Sequence, residues 1–305
     1  MTDHSIIVSA PARLHLGLVK TSAEPGFIAA GLSLASPRLE MVVTLRRGVG
    51  SRHPAERVAS SVLRSLGLKE SVSIELPTPL PSHQGFGSGT RMALAAAAGA
   101  LKLVGKRMDI LRMTRLSGRG GRSAMGAVLF AKGGLAADVE GSIVHTAAPG
   151  NWRVVLISPT INGTDLQGLH GSEEEGKIHS IPPCSARVKN RVEDEAVAGL
   201  IGGAASGDFG SFEGAVAALQ SSAARQFGAL QGGMASTENG RAILRRMRRE
   251  GVKACGQSSW GPTLFAITST ADQAKELSNW LRNMPGVEEV RIARIDNRGR
   301  RFTGR

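Results

Sequence analysis

The chain has 305 residues, 41% of them hydrophobic, with 38 basic against 25 acidic side chains and a formal net charge of +13. That length suits two domains, and the apolar share is enough for a sizeable core. The charge could serve nucleic acid, a membrane surface or a small polyanionic substrate, but without interleaved aromatics or zinc-ligand spacing nucleic acid is a minor reading.

The predicted elements run as follows. Ile6–Val8 reads as a short buried strand and 39–45 as an alternating one. A helical period covers 54–67, with Pro54 at its start and Gly67 at its end, where each is favoured. A strand over 72–76 stops at Pro77, and a Pro/Gly-rich loop follows over 77–89. The long Ala/Leu helix begins at Ser88, read as its N-cap, and ends near Val104. Helices are expected at 109–116 and 123–130, and a strand at 135–139. A domain change falls near residue 150, giving domains over 1–150 and 151–305. Beyond it come a strand at 152–158, a polar loop at 159–186 and helices at about 190–201, 208–229 and 237–250. A strand at 263–267, a helix at 271–283 and a strand at 287–295 complete the second half. Residues 297–305 read as a frayed basic tail.

Cys184 and Cys255 are far apart and imply neither a disulfide framework nor a metal cluster. The start of the chain has no signal-peptide core, and no apolar run reaches membrane-spanning length. A cytoplasmic protein without a membrane partner is expected.

The most informative stretch is Gly85-Phe-Gly-Ser-Gly-Thr90. Glycines let main-chain N–H groups approach a ligand with no Cβ in the way. At a helix N-terminus such a loop suits phosphate; the bland alternative is an ordinary Gly-rich turn into a helix. Three more segments fall in line: Pro11-Ala-Arg-Leu-His-Leu-Gly17, Gly118-Arg-Gly-Gly-Arg-Ser-Ala-Met-Gly126 and Gly256-Gln-Ser-Ser-Trp-Gly-Pro-Thr263.

The first, second and fourth of these segments resemble the three motifs of the GHMP small-molecule kinase superfamily. The resemblance implies an α+β, GHMP-kinase-like fold: a ribosomal protein S5 domain 2-like N-terminal domain plus a ferredoxin-like C-terminal domain, with the active site between them. In detail, Arg13-Leu-His15, Gly85–Thr90 and Gly118–Ser123 resemble the beta-ribofuranosylaminobenzene 5'-phosphate synthase family. That family joins 5-phosphoribosyl 1-pyrophosphate to 4-aminobenzoate, releasing CO2 and pyrophosphate, early in methanopterin biosynthesis. It implies a homodimer, and Mg2+ is the cofactor expected for a pyrophosphate-bearing substrate. Phe86, Arg91 and Arg122 depart from the pattern, which has Leu, Gln and Thr there.

On this reading Gly85, Gly87, Ser88, Gly89, Thr90, Gly120, Gly121, Arg122 and Ser123 bind substrate phosphate, and Ser88 or Thr90 offers a hydroxyl to Mg2+. Arg13 and Arg119 clamp phosphate or carboxylate. His15 donates to a phosphate or the leaving group, or is a satisfied histidine on a strand. Asp138 holds Mg2+ or a ribose hydroxyl, or caps a strand end. Ser258 and Ser259 close against the phosphate loop. His170 and Glu173–Glu175 form a surface loop, with a lid as the sharper alternative. An ATP-dependent GHMP-type kinase is the runner-up. Against it, the stretch 123–130 has no carboxylate to act on a substrate hydroxyl.

Overall fold

The computed structural model describes residues 5–22, 26–46, 53–118, 120, 123–163 and 171–304, with backbone only at 171–175. Strands β1 (Ser5–Lys20) and β2 (Phe27–Arg46) form a long antiparallel hairpin, from Ser5↔Thr44 to Lys20↔Phe27. Both outrun the predicted 6–8 and 39–45. The reason lies in small and interrupting residues that weaken the local signal: Pro11 falls at a register shift, where its missing N–H costs no ladder bond. Past that shift Ala12, Leu14 and Leu16 are fully buried.

Helix α1 (Pro54–Arg64), strand β3 (Ser71–Thr78), helices α2 (Ser88–Leu103), α3 (Ile110–Leu116) and α4 (Met125–Lys132), and strands β4 (Leu135–Val139) and β5 (Ser142–Thr146) follow. Helix α2 corrects the reading of Ser88 as N-cap: Gly87 holds that position, at φ 69°, with no side-chain cap bond, and Ser88 is the first helical residue. A left-handed cap position favours glycine over serine.

The second half holds β6 (Arg153–Pro159), α5 (Gly171–Ser180), α6 (Ala186–Asp194), a π-helical run (Glu195–Gly202), α7 (Gly203–Ser206), α8 (Phe209–Gln231), α9 (Glu238–Arg249), β7 (Cys255–Gln257), β8 (Leu264–Thr268), α10 (Ala271–Arg282), β9 (Val287–Arg294) and β10 (Arg301–Gly304). The helix α5 lies inside the stretch expected to be loop. It carries few apolar residues, which hid its period.

The first sheet has the order β10-β1-β2-β4-β5, with β3 also paired to β2; the second is β7-β8-β6-β9, antiparallel throughout. Strand β10 overturns the frayed tail. Its residues pair with β1 from Ile6↔Gly304 to Ser9↔Arg301, and Arg300 lies 5.4 Å from the Phe130 ring centre and 5.8 Å from that of Phe302. A basic composition predicts solvation, but the open edge of β1 offers a row of unpaired backbone groups that a strand satisfies. One apolar cluster runs from Ile6 and Val8 through Trp152 and Phe212 to Phe265, joining the two sheets. Trp152 meets Phe209 and Phe212 at ring distances of 5.1 and 4.5 Å. Among the described residues no helix is long and apolar enough to cross a membrane.

Candidate functional site

Three segments remote in sequence meet at the start of α2. Arg13 donates its backbone N–H to the Phe86 carbonyl at 3.1 Å. Gly85 and Gly87 have φ of 83° and 69°. A Cβ on Gly87 would sit 3.3 Å from Arg13 Nε, so the guanidinium lies directly beside the helix start. A Cβ on Gly85 would overlap the Ser258 carbonyl. Both glycines are needed: for their backbone angles and for this closeness.

Ser258 is the knot. Fully buried, its Oγ accepts from the His15 backbone N–H and donates to the Gly85 carbonyl, each at 2.9 Å. The turn 256–263 therefore closes against the glycine loop, as the superfamily resemblance implies. Ser259 follows at φ 55°, a left-handed angle that side chains rarely adopt. His15 itself is buried on β1. The first four N–H groups of a helix have no partner within it. Those near Ser88, Gly89 and Thr90, flanked by Arg13, form a concentration of donors and positive charge at one point.

Sequence reading missed the residues that hold this knot. Gln220 of α8, buried, donates to Leu16 O at 2.9 Å and accepts from Gln257 N at 3.2 Å. Gln257 accepts from Ser236 N at 2.7 Å and donates to Ser259 O at 3.1 Å. The available signal was an uncharged polar residue at an otherwise apolar helical position, Ala217-Ala-Leu-Gln220.

In the sequence Arg91 stands out only as a departure from the family pattern. The structure buries it almost completely, at 1% exposure, one turn into α2. Its Nε donates to Pro11 O at 2.8 Å and its Nη1 to Gly126 O. It thus ties β1 and α4 to the loop. Burial, with repulsion from Arg13 second, lowers its pKa from 12.5 to about 9.

The middle glycine segment is held differently. Asp138, buried, accepts from Ser123 Oγ, Ala124 N and Gly141 N, each at 2.8 Å. Ser123 Oγ in turn accepts from Met125 N at 3.1 Å. Ser123 and Asp138 therefore fix the start of α4. Gly120, at φ 82°, lies against Thr114. Arg119, Gly121, Arg122 and His170 lie outside the described residues, as do the side chains of Glu173–Glu175. Among the described residues no group of three or more His, Cys, Asp or Glu is placed to hold a metal. The arrangement can hold an anion; among the described residues it offers no carboxylate at the loop for proton abstraction.

Comparison with known proteins agrees with this geometry. Residues 53–134 match the GHMP kinases N terminal domain. The chain is 23% identical over 299 residues to the beta-ribofuranosylphenol 5'-phosphate synthase of Methanothermobacter thermautotrophicus, covering 86% of this chain and 88% of that protein. It is 24% identical to the enzyme of the same name from Archaeoglobus fulgidus, covering 85% and 87%. Among solved structures it is similar to homoserine kinase from Cytophaga hutchinsonii, with a TM-score of 0.64 at 17% identity over 99% and 98% of the two chains. A mevalonate 5-diphosphate decarboxylase gives a TM-score of 0.68 at 12% identity over 98% and 97%. The chain has the fold shared by these kinases and decarboxylases, and its residues 53–134 match the GHMP kinases N terminal domain.

Proposed function

We propose that this chain is a decarboxylating phosphoribosyltransferase of methanopterin biosynthesis. It joins 5-phosphoribosyl 1-pyrophosphate to a para-substituted benzoate and releases CO2 and pyrophosphate. The acceptor read from the sequence is 4-aminobenzoate. The relatives' name carries a phenol in the product, which the same chemistry makes from 4-hydroxybenzoate. Either para group pushes electrons toward the ring carbon that bears the carboxylate.

The observation that carries the reading is a phosphate-type loop with Arg13 beside it, Arg91 beneath it and no acid facing it among the described residues. The loop N–H groups and Arg13 would receive the diphosphate. The bond from the ribose anomeric carbon to the diphosphate oxygen breaks, and its electron pair leaves with pyrophosphate. The ring carbon bearing the carboxylate bonds to the anomeric carbon. The bond to the carboxylate then breaks, CO2 departs, and its electrons restore the aromatic ring. What the protein must supply is charge stabilisation for the leaving group and register between two reactants. Arg119 would clamp the second anion, and His15 would donate toward the leaving group. Mg2+ would be held through a hydroxyl of Ser88 or Thr90 together with the substrate, and would offset leaving-group charge. The free thiols of Cys184 and Cys255 suit a reducing cytoplasm. A homodimer is the assembly implied by the family resemblance, and sedimentation velocity tests it.

The kinase alternative has less support. Asp138, the acid bonded at the start of α4, already accepts three hydrogen bonds. The test mixes protein, Mg2+, phosphoribosyl pyrophosphate and benzoate labelled in its carboxylate, with the amino and hydroxy acceptors in separate arms. Labelled CO2 released only in the complete mixture is expected. ATP consumption with an alcohol substrate, and no CO2 in either arm, would establish the kinase.

A further inference from the structure

Arg91 is placed where a cation is disfavoured three times over. It is buried at 1% exposure, next to the cation Arg13, and one turn from the positive end of α2. Its Nη2 has no hydrogen-bond partner among the described residues. The acids on neighbouring elements are engaged elsewhere. Glu56 of α1 accepts from His53 N and Ile74 N, and Asp109 caps α3. Asp138 of β4 holds the start of α4, and Asp296 pairs with Arg38 and Arg301. Glu40 of β2 is exposed. The remaining charged or titratable groups on α2 and the elements packed on it are Lys102 of α2, Arg13, His15 and Lys20 of β1, Arg38 and Arg46 of β2, Arg57 and Arg64 of α1, Arg112 and Arg115 of α3, and Lys132 of α4. Arg300, before β10, shares the Phe130 ring with Arg91.

We propose that Arg91 is a positioning residue of the anion site: a built-in counter-charge under the glycine loop whose unfavourable placement is relieved when a phosphate group binds at the start of α2. This deepens the assignment of the loop to a diphosphate and rests on it. The charge of Arg91 gives the loop affinity for a dianion without a metal ion. Its two carbonyl bonds, to Pro11 and Gly126, keep the first motif and α4 in place around that anion.

The test is sulfate binding by calorimetry in the presence of a chelator. At pH 8 the wild-type protein should bind sulfate, and Arg91→Gln should bind it at least tenfold more weakly. Arg91→Lys keeps the charge at this position and should bind more tightly than Arg91→Gln, so that charge is read apart from packing. Wild-type protein that binds no sulfate overturns the inference with no variant needed. Unchanged affinity in a folded Arg91→Gln, or equal losses in Arg91→Lys and Arg91→Gln, would overturn it as well. Pyrophosphate, run in parallel, separates the two levels. Wild-type protein that does not bind it refutes the diphosphate reading, while equal binding by wild type and Arg91→Gln refutes only the role of Arg91.

Discussion

Arg38 and Arg91 are both drawn toward the interior of the same half of the molecule, and their surroundings differ in one respect. Arg38, on β2, pairs with Asp296, whose carboxylate is buried. Its Nε donates to Ser9 Oγ at 3.0 Å and its Nη2 to Ser9 O and Gly299 O. Asp296 also accepts from Arg298 N, Gly299 N and Arg301. The C-terminal strand is thereby fastened to the first sheet. Among the described residues Arg91 has two carbonyl partners and no acid. A guanidinium whose charge is matched inside the protein is structural. One left unmatched next to a donor-rich loop is ready for a ligand that brings the negative charge.

The largest effect that can break this comparison is on stability. Asp296→Ala strands the Arg38 charge and several N–H donors, and should cost about 3–5 kcal/mol in chemical denaturation. Pyrophosphate affinity per folded molecule should stay the same. A loss of affinity equal to that of Arg91→Gln would erase the distinction between the two arginines.

Next in size is Gly87→Val. At φ 69° a β-branched side chain is strained by roughly 1–3 kcal/mol, and its Cβ presses on Arg13. Pyrophosphate affinity should fall more than tenfold, beyond what the stability loss explains. Unchanged affinity would remove the loop from the site.

Ser258→Ala removes a hydroxyl that serves both His15 N and Gly85 O. It leaves a buried N–H unpaired, worth about 1–3 kcal/mol. The KM for the diphosphate substrate should rise, because the loop loses its tie to β1. An unaltered KM would show that the loop keeps its shape alone.

Smallest is Glu250→Gln, which breaks the exposed pair with Arg246 at 3.0 Å. Denaturation should show less than about 0.5 kcal/mol. A larger effect would mean that the basic face of α9 is not simply solvated.

Much of the fold was legible in the sequence because its signals are local. The strand over 135–139 and the helices starting near 54, 88 and 271 follow from periodicity and end residues, and their bounds agree with the structure within a few residues. Elements defined by a distant partner were not legible. Strand β10 exists because β1 has an edge to fill, and β7 is three residues long. The extra length of β1 and β2 comes from their pairing with each other across Pro11, Gly31 and Pro37. The site divides in the same way. Glycines and hydroxyls announce a phosphate loop, since few other needs call for them together. The role of Ser258 follows from a contact across 173 residues, and that of Arg91 from what it lacks among the described residues, an acid within reach. Neither is written in its sequence neighbourhood.

Main-chain donors around Gly87, flanked by arginine, are proposed to hold the diphosphate of the substrate, and a crystal structure with pyrophosphate bound tests this most directly. Phosphate oxygens are expected within hydrogen-bond reach of the N–H groups at 87–90 and of Arg13. Pyrophosphate bound elsewhere, with that loop closed by its own side chains, would contradict it.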